Sequence, residues 1–221
     1  MTSFLITCSN ATCAVPEANR ELFKGSEDRV TSTEGWEPGS LNLAQGLAMK
    51  FSTPLIHGDV TRLLINLDEE GDSLWSTISE KLPEPNRQKL IDRHLMKFRQ
   101  AIESRVNEDL KRHDLILHLI IHTAPIADGA IIFEHAGASQ AGIYAEKIVT
   151  QLPAKEIQVT CRKLSDKTPF ISWLLESFPN EKYGLIRITV SQSFFMKSVP
   201  MRWETIKKSL IKAIHDSRDP G

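Results

Sequence analysis

The segment from Leu115 to Ile121 constrains the fold most, because both of its alternating faces are apolar, apart from His118. A strand with one face in water alternates apolar and polar residues, whereas a strand covered by helices on both faces is apolar almost throughout. The segment is also far shorter than the roughly 20 apolar residues that span a bilayer. It therefore predicts the central strand of a sheet that lies between two helical layers.

Amphipathic helices alternate with short apolar strands along the rest of the chain. The clearest helix runs from about Asn86 to Lys111, with apolar residues at three- and four-residue steps. The other predicted strands are Ser3 to Cys8, Thr53 to His57, Thr61 to Leu67, Gly129 to Phe133, Ile157 to Cys161 and Leu185 to Val190, and the other predicted helices follow Ser40 or cover Ser139 to Leu152, Pro169 to Phe178 and Val199 to Ile214. Gly58-Asp59 suits a tight hairpin if the predicted strands on either side of it pair, and residues 17–39 suit a loop with a single helical turn at most.

This alternation predicts an α/β fold, a three-layer sandwich in which a mixed, mostly parallel sheet is flanked by helices. We expect one domain over residues 1–221. Such sheets place their ligand sites beyond the carboxyl ends of the strands. The polar segments expected there are Ser9-Asn10, Asp68-Glu69-Glu70, His122-Thr123 with Asp128, Glu134-His135 and Ser191-Gln192.

Charge and cysteine content restrict the partners and the compartment. Lys and Arg total 27 against 28 for Asp and Glu, a formal net charge of -1, so no global field attracts a polyanion and nucleic acid is an unexpected partner. The sequence has neither a membrane-spanning run nor a basic segment followed by a long apolar run at its start. Its 3 cysteines lack metal-finger spacing and suit a reducing compartment. These features predict a cytoplasmic protein without a membrane partner.

Two histidines of the central strand have different predicted roles. Positions four apart on a strand lie about 13 Å from each other, so His118 and His122 cannot share one metal ion. His122, at the strand end, is the candidate ligand. For His118 the preferred interpretation is a core histidine satisfied by hydrogen bonds.

The charged candidates each have a structural alternative. Arg62 lies in an apolar segment and needs a carboxylate, either a protein neighbour or an acidic ligand, with the protein neighbour slightly favoured. Glu37, Asp68 and Glu134 are acids near predicted strand ends or loop closures, suited to a metal ligand or a general base, although any one of them alone is ordinary surface charge. Cys8 has no basic neighbour in the sequence and is predicted to be a buried, inert thiol.

Five segments, taken in order, resemble the N-formylglutamate amidohydrolase family over nearly the whole chain. Gly35-Trp36-Glu37-Pro38-Gly39 is similar to the family's Gly-Trp-Asp-Pro-Gly, and Thr61 to Asp68 is similar to its Ser-Arg-Leu…Asp-Leu-Asn-Arg, the most specific motif of the set. The remaining segments are Leu5 to Ala11 with Val15-Pro16, His118 to Thr123 with Pro125, and Tyr183 to Gln192. Five ordered matches are hard to obtain by chance, although each alone is weak.

The resemblance implies a fold like that of the zinc carboxypeptidases, in the phosphorylase/hydrolase-like class, and metal-assisted hydrolysis of the amide of an N-acylated acidic amino acid. It thus implies a small, carboxylate-bearing substrate and zinc or another divalent metal as cofactor. The roles assigned with it are metal binding by His122 and Glu37, catalysis by Glu134 and Asp68, and substrate binding by Arg62, Asn10, Ser9 and Gln192.

The chain departs from the family at several functional positions. Ser9 and Asn10 stand for a glutamate and a histidine, Thr33 for a histidine, Asn66 for an aspartate and Thr189 for a glutamate. Because a hydrolytic zinc site needs three protein ligands and an open position, these changes leave two hypotheses open. The first is an active amidohydrolase with a rebuilt site. The second is a catalytically silent member without the metal that acts as a small-ligand-binding or interaction protein.

Overall fold

Six strands form one sheet in the computed structural model, which describes residues 1–153, 157–179, 181–196 and 200–217. The strands are β1 (Thr2–Cys8), β2 (Leu55–His57), β3 (Leu115–Ala124), β4 (Ala130–Gly137), β5 (Gln158–Lys163) and β6 (Tyr183–Ser191). Their order across the sheet is β2-β1-β3-β6-β4-β5. Strand β3 lies near the middle, between β1 and β6, which confirms the prediction from the apolar segment at 115–121.

The sheet is mixed but mostly parallel, as predicted. Strands β2, β1, β3 and β6 all run in one direction. Strand β4 pairs antiparallel with β6, and β5 follows the direction of β4. The carboxyl ends of β1, β2, β3 and β6 therefore meet at one edge of the sheet, the carboxyl edge, whereas β4 and β5 begin there.

Helices cover both faces of the sheet and complete three layers. They are α1 (Glu27–Thr31), α2 (Ser40–Phe51), α3 (Glu84–Leu90), α4 (Met96–Asp109), α5 (Ser139–Gln151), α6 (Pro169–Ser177), α7 (Ser193–Met196) and α8 (Pro200–Asp216), with short 3-10 helices at Glu17–Phe23, Gly71–Leu74 and Ser79–Lys81. A single π-helical turn, Ile91–Leu95, joins α3 to α4. This continuous helical run confirms the long amphipathic helix predicted at 86–111.

Successive side chains of β3 point to opposite faces of the sheet, so they pack in two different parts of the hydrophobic core. Leu117, Leu119 and Ile121 pack in one cluster with α2, α5 and α8. Ile116 and Ile120 pack in the other cluster, with α4 and α6. All five side chains are fully buried. Helices on both sides therefore explain why this strand lacks the polar alternation of a half-exposed strand.

His118 interrupts the apolar pattern of β3 without disturbing the core. Its Nε2 is hydrogen-bonded to the Thr7 hydroxyl at 2.8 Å, and its Nδ1 to the Tyr183 hydroxyl at 2.6 Å. Burial lowers the pKa of His118 from its usual 6.5 to about 3, so the ring is neutral at physiological pH. The prediction of a satisfied core histidine is confirmed.

Across the described residues, we find no helix with the length and hydrophobicity that a bilayer crossing requires.

The hairpin predicted around Gly58-Asp59 is wrong. Strand β2 pairs parallel with β1, and residues 61–67 form turns rather than a strand. The backbone of this segment is bonded to loops instead, since the Thr61 amide donates to the Ala14 carbonyl at 2.8 Å and the Arg62 amide donates to the Gly35 carbonyl at 3.0 Å. Its apolar side chains pack in the cluster beneath α4, and this burial produced the strand-like sequence pattern.

Two other local expectations need correction. Residues 17–39 hold more helix than the single turn expected, namely the 3-10 helix at Glu17–Phe23 and helix α1. Strand β4 is longer than predicted and ends at Gly137, so Glu134 and His135 lie inside a strand rather than in a strand-end loop. Because β4 runs opposite to β6, its end also lies away from the carboxyl edge.

Gly58 allows the turn after β2 to approach β1 closely. A Cβ atom at this position would lie 1.9 Å from the backbone oxygen of Ser9. We expect Gly58→Ala to lower the free energy of unfolding by about 2 kcal/mol, because backbone has to move to relieve the overlap. Urea denaturation measures this change. A matched control is Gly46→Ala, where the new Cβ meets the side chains of Ile211 and Lys207 and no backbone of another segment, and we expect a change near zero. Equal losses in both variants would contradict the expectation.

Candidate active site at the carboxyl edge of the sheet

Three ligand-type side chains converge at the carboxyl edge. One oxygen each from Glu37 and Asp68 and one ring nitrogen of His122 lie within 4.8 Å of one another. His122 is near the end of β3, Glu37 precedes α2, and Asp68 follows the turns at 61–67. Both carboxylates are buried and the imidazole is nearly so. We call these three residues the carboxylate–histidine cluster.

Of the three residues of the cluster, Glu37 has the most hydrogen-bonding partners. Its Oε2 lies 3.0 Å from Nδ1 of His122 and accepts the backbone N–H of Thr123 at 3.1 Å. Its Oε1 accepts a hydrogen bond from Nδ2 of Asn10 at 3.1 Å. The carboxylate thus joins the end of β3 to the loop that follows β1.

Backbone contacts hold the loop of Glu37 in place. The Glu37 amide donates to the Asn10 carbonyl at 2.9 Å, and the Thr123 hydroxyl donates to the Pro38 carbonyl at 2.8 Å. The Ser40 hydroxyl, at the start of α2, donates to the Glu37 carbonyl at 2.6 Å. Gly39 adopts a left-handed conformation, with φ of 86°, which lets the chain turn directly into the helix. The local sequence from Glu37 to Ser40 therefore fixes the carboxylate against β3.

Asp68 has one carboxylate oxygen engaged and one open. Its Oδ2 accepts the second N–H of the Asn10 amide at 2.9 Å, so that amide bridges the two carboxylates. Its backbone is held by the Asn66 side chain, whose Oδ1 accepts the Asp68 amide at 3.2 Å, and by the Phe170 amide, which donates to the Asp68 carbonyl at 3.1 Å. The buried Oδ1 of Asp68 has no hydrogen-bond partner among the described residues.

The charges of the cluster are strongly coupled. Burial alone would raise the pKa of Glu37 and lower that of His122, but their mutual attraction and hydrogen bond outweigh burial for both. The pKa of Glu37 is therefore below its usual value, and that of His122 is raised to about 9. Burial raises the pKa of Asp68, and the charge of His122 only partly offsets it. At neutral pH the metal-free cluster thus holds an ion pair beside a carboxyl whose pKa burial raises.

Arg62 lies beside the cluster. Its Nε donates to the Glu34 carbonyl at 2.8 Å, its Nη2 donates to the Thr33 carbonyl, and its Nη1 lies 3.6 Å from Oε1 of Glu37. The predicted structural partner is therefore present, although the ion pair is long. The side chain keeps 29% of its surface exposed, so part of the guanidinium remains open to a ligand.

Two other predicted site residues lie at the same edge of the sheet as the cluster. Ser9 is buried just beyond the end of β1, and Gln192 is buried just beyond the end of β6. The Ser9 hydroxyl lies close enough to Asp68 to lower the pKa of that carboxyl, although it makes no hydrogen bond of ordinary geometry to any described residue. Gln192 donates through Nε2 to the Thr123 carbonyl at 3.3 Å, and its buried Oε1 has no partner in the described part of the chain.

Glu134 does not join the cluster. It lies on β4, which β6 separates from β3, and both its carboxylate oxygens bind arginines. Arg162 pairs with Oε1 at 3.0 Å, and Arg187 pairs with Oε2 at 2.5 Å. The proton-accepting positions of Glu134 are thus occupied, which disfavours the general-base role assigned to it.

Cys8 is buried, and burial strongly raises the pKa of its thiol, consistent with an inert cysteine.

The cluster fits a divalent ion in the type and number of its donors. Two carboxylates and one imidazole match the three protein ligands of hydrolytic zinc centres. Oδ1 of Asp68, partnerless among the described residues, is a ready ligand atom, since a buried, unpaired carboxylate oxygen otherwise destabilises the fold. Metal binding would require His122 to give up its extra proton.

Sequence reasoning missed the bridging amide of Asn10 and the backbone N–H of Thr123. The resemblance matches Asn10 to a family histidine and assigns it to substrate, whereas its amide binds Glu37 and Asp68. No local signal predicts this bridge, because the three residues are far apart in the chain. The matched position Thr189 pairs in register with His122 but supplies no carboxylate.

Comparisons with known proteins identify the fold. No protein-family model matches the sequence, and no curated protein matches it. Gene product Atu2144 from Agrobacterium tumefaciens has a similar crystal structure, with a TM-score of 0.78 and 17% identity over 97% of this chain and 90% of that one. An N-formylglutamate amidohydrolase from Ralstonia eutropha JMP134 superposes with a TM-score of 0.66 and 16% identity, over 96% of this chain and 92% of that one. The fold implied by the sequence resemblance is therefore confirmed.

Proposed function

We propose that this chain is a hydrolase that cleaves the amide of an N-acylated, carboxylate-bearing small molecule, with a divalent ion at the carboxylate–histidine cluster. The observation that carries the proposal is the convergence of Glu37, Asp68 and His122 within 4.8 Å at the carboxyl edge. Ligand sites of open α/β sheets lie at that edge. The fold shared with the Ralstonia amidohydrolase supports the reaction class.

Glu37, Asp68 and His122 would hold the ion, which would supply Lewis-acid activation of water and of the amide carbonyl. Within the cluster, Oδ1 of Asp68 is the one carboxylate oxygen that no described protein group occupies. We assign this oxygen to the ion, because a carboxylate oxygen that binds a divalent cation is a poor proton acceptor. Asn10 orients Asp68 by holding its other oxygen.

Arg62 is assigned to the substrate carboxylate. Two of its nitrogens are fixed by the carbonyls of Thr33 and Glu34, so the guanidinium is held in one orientation before a ligand arrives. A preorganised guanidinium binds a carboxylate with less loss of side-chain entropy than a mobile one. We further propose that residues 1–221 act as one domain, because the single sheet draws its strands from most of the chain.

Metal titration and turnover test the proposal together. After treatment with a chelator, wild-type protein should bind one zinc or manganese ion per chain and hydrolyse N-formyl- or N-acetylglutamate. His122→Ala should weaken metal binding and lower kcat/KM by at least about a hundredfold, because a direct ligand contributes more than the outer partners, whose loss costs about 10–100-fold.

The matched control is His215→Ala, which removes a histidine of α8 from outside the cluster and should change neither quantity. Absence of a bound ion and of turnover in the wild-type protein would contradict the hydrolase.

A specific observation favours a second function, a silent site that binds a small carboxylate ligand. The Asn10 amide and protonated His122 already satisfy much of the charge of Glu37 and Asp68 without a metal. For this function, glutamate or an N-acyl derivative should raise the melting temperature of chelator-treated protein without being hydrolysed, and Arg62→Ala should abolish the shift. Metal-dependent turnover would reject it in favour of the hydrolase.

A further inference from the structure

A groove of about 280 Å³ lies at the carboxyl end of β2, the outermost strand on that side of the sheet. One wall is the chain from Leu55 to Asp59, and the other is the helical run from Arg93 to Ala101. None of Glu37, Asp68 and His122 lines this cavity, which we call the β2 groove. It is therefore a different place from the proposed active site, and a ligand could bind there whether or not the chain is a hydrolase.

Two basic side chains at the groove have no ion-pair partner among the described residues. They are Arg93 and Lys97, which are exposed and stand one helical turn apart. Other arginines of the same helical run are paired, namely Arg87 with Glu84, Arg99 with Glu70 and Arg105 with Asp109. The lining of the groove therefore carries two unpaired cations against one carboxylate, Asp59, whereas the neighbouring arginines of the helical run are neutralised.

A buried histidine ties the two walls of the groove together. His94 keeps 6% of its surface exposed, and its Nδ1 is hydrogen-bonded to Oδ1 of Asp59 at 2.7 Å. Asp59 is the one carboxylate among the lining residues, and this contact engages it. His94 stands on the π-helical turn, a feature frequent at functional sites, and its buried Nε2 has no partner among the described residues. The pair holds the helical run that carries Arg93 and Lys97 against the end of β2.

We propose that the β2 groove binds a small molecule through an oxyanion group, a phosphate or a carboxylate, held by Arg93 and Lys97. A guanidinium and an ammonium are the side-chain cations that bind such groups most strongly. Leu55, Leu67 and Phe98 supply apolar contact for the rest of the molecule. The cavity is close to the roughly 300 Å³ at the lower end of ligand sites, which suits a small ligand.

Calorimetric titration with inorganic phosphate and with succinate, at constant ionic strength, tests this proposal. Wild-type protein should bind at least one of the two saturably, and the double variant R93A/K97A should bind it at least about tenfold more weakly. The matched control K89A/K208A removes two lysines outside the groove and should bind like the wild type. Arg62→Ala should remove any binding of succinate at the proposed active site and keep the binding that R93A/K97A loses, which separates the groove from that site.

Binding of phosphate alone or of succinate alone identifies the group that the site takes, and either result supports the proposal when R93A/K97A loses it. Loss of binding in R93A/K97A is informative because both side chains are exposed, so the variant should keep the wild-type melting temperature. Saturable binding of neither anion to the wild type would overturn the proposal. Equal affinity in the wild type, R93A/K97A and K89A/K208A would also overturn it.

Discussion

Replacing Glu37 with alanine should lower the free energy of unfolding by about 3–5 kcal/mol, the loss expected when one partner of a buried ion pair is removed. The carboxylate accepts hydrogen bonds from Asn10 and Thr123 and pairs with His122, and its side chain is only 8% exposed. The variant leaves these groups buried without their partner. Urea denaturation in the presence of a chelator measures the change, because the chelator removes any stabilisation from bound metal.

Glu34→Ala is the matched control for this measurement. Glu34 is close in sequence and pairs with Arg29 at 2.9 Å, but its side chain is 57% exposed, so we expect a change within about 1 kcal/mol. Glu37→Gln should fall between the two, because it keeps the shape of the side chain and removes its charge. Equal effects of Glu37→Ala and Glu34→Ala would show that water reaches the cluster and that the ion pair is weak.

Acidification should destabilise the folded protein through His118. Unfolded histidine titrates near pH 6.5, whereas burial lowers the pKa of His118 in the fold to about 3. Between these values the unfolded chain binds a proton that the folded chain excludes, so stability falls as the pH falls, by about 1.4 kcal/mol per pH unit. From pH 6.5 to 4.5 this one residue should remove about 2 kcal/mol, because the unfolded ring is already half protonated at pH 6.5. Well above pH 6.5 its contribution is complete and constant.

Carboxylates also titrate in this range, so the contribution of His118 is measured as a difference between the wild type and a variant. We expect His118→Gln, whose amide can still bond Thr7 and Tyr183, to lose about 2 kcal/mol less than the wild type between pH 6.5 and 4.5. A His118 ring that titrates near pH 6.5 in NMR spectra would contradict the expectation.

Part of the candidate site was predictable because strand ends can be read from the sequence. Once β1, β3 and β6 are taken as parallel, their carboxyl ends must lie together, and this brings Ser9, Asn10, His122 and Gln192 to one edge. Glu37 and Asp68 were candidates because they lie near predicted strand ends or loop closures and in segments similar to a known family, and the structure brings both to His122. The strand predicted at 61–67 was wrong, yet Asp68 still reaches His122, because turns rather than a strand bring it there.

The sequence by itself determined the layered fold, since apolar runs and helical periods record which faces are buried. The tertiary structure alone decided which charges meet. It held Glu134 between two arginines, placed the Asn10 amide between Glu37 and Asp68, and set β4 antiparallel to β6. Burial leaves a pattern along the chain because it depends on the local period. An ion pair or a hydrogen bond depends on a few ångströms between residues distant in sequence, and no local pattern records that distance.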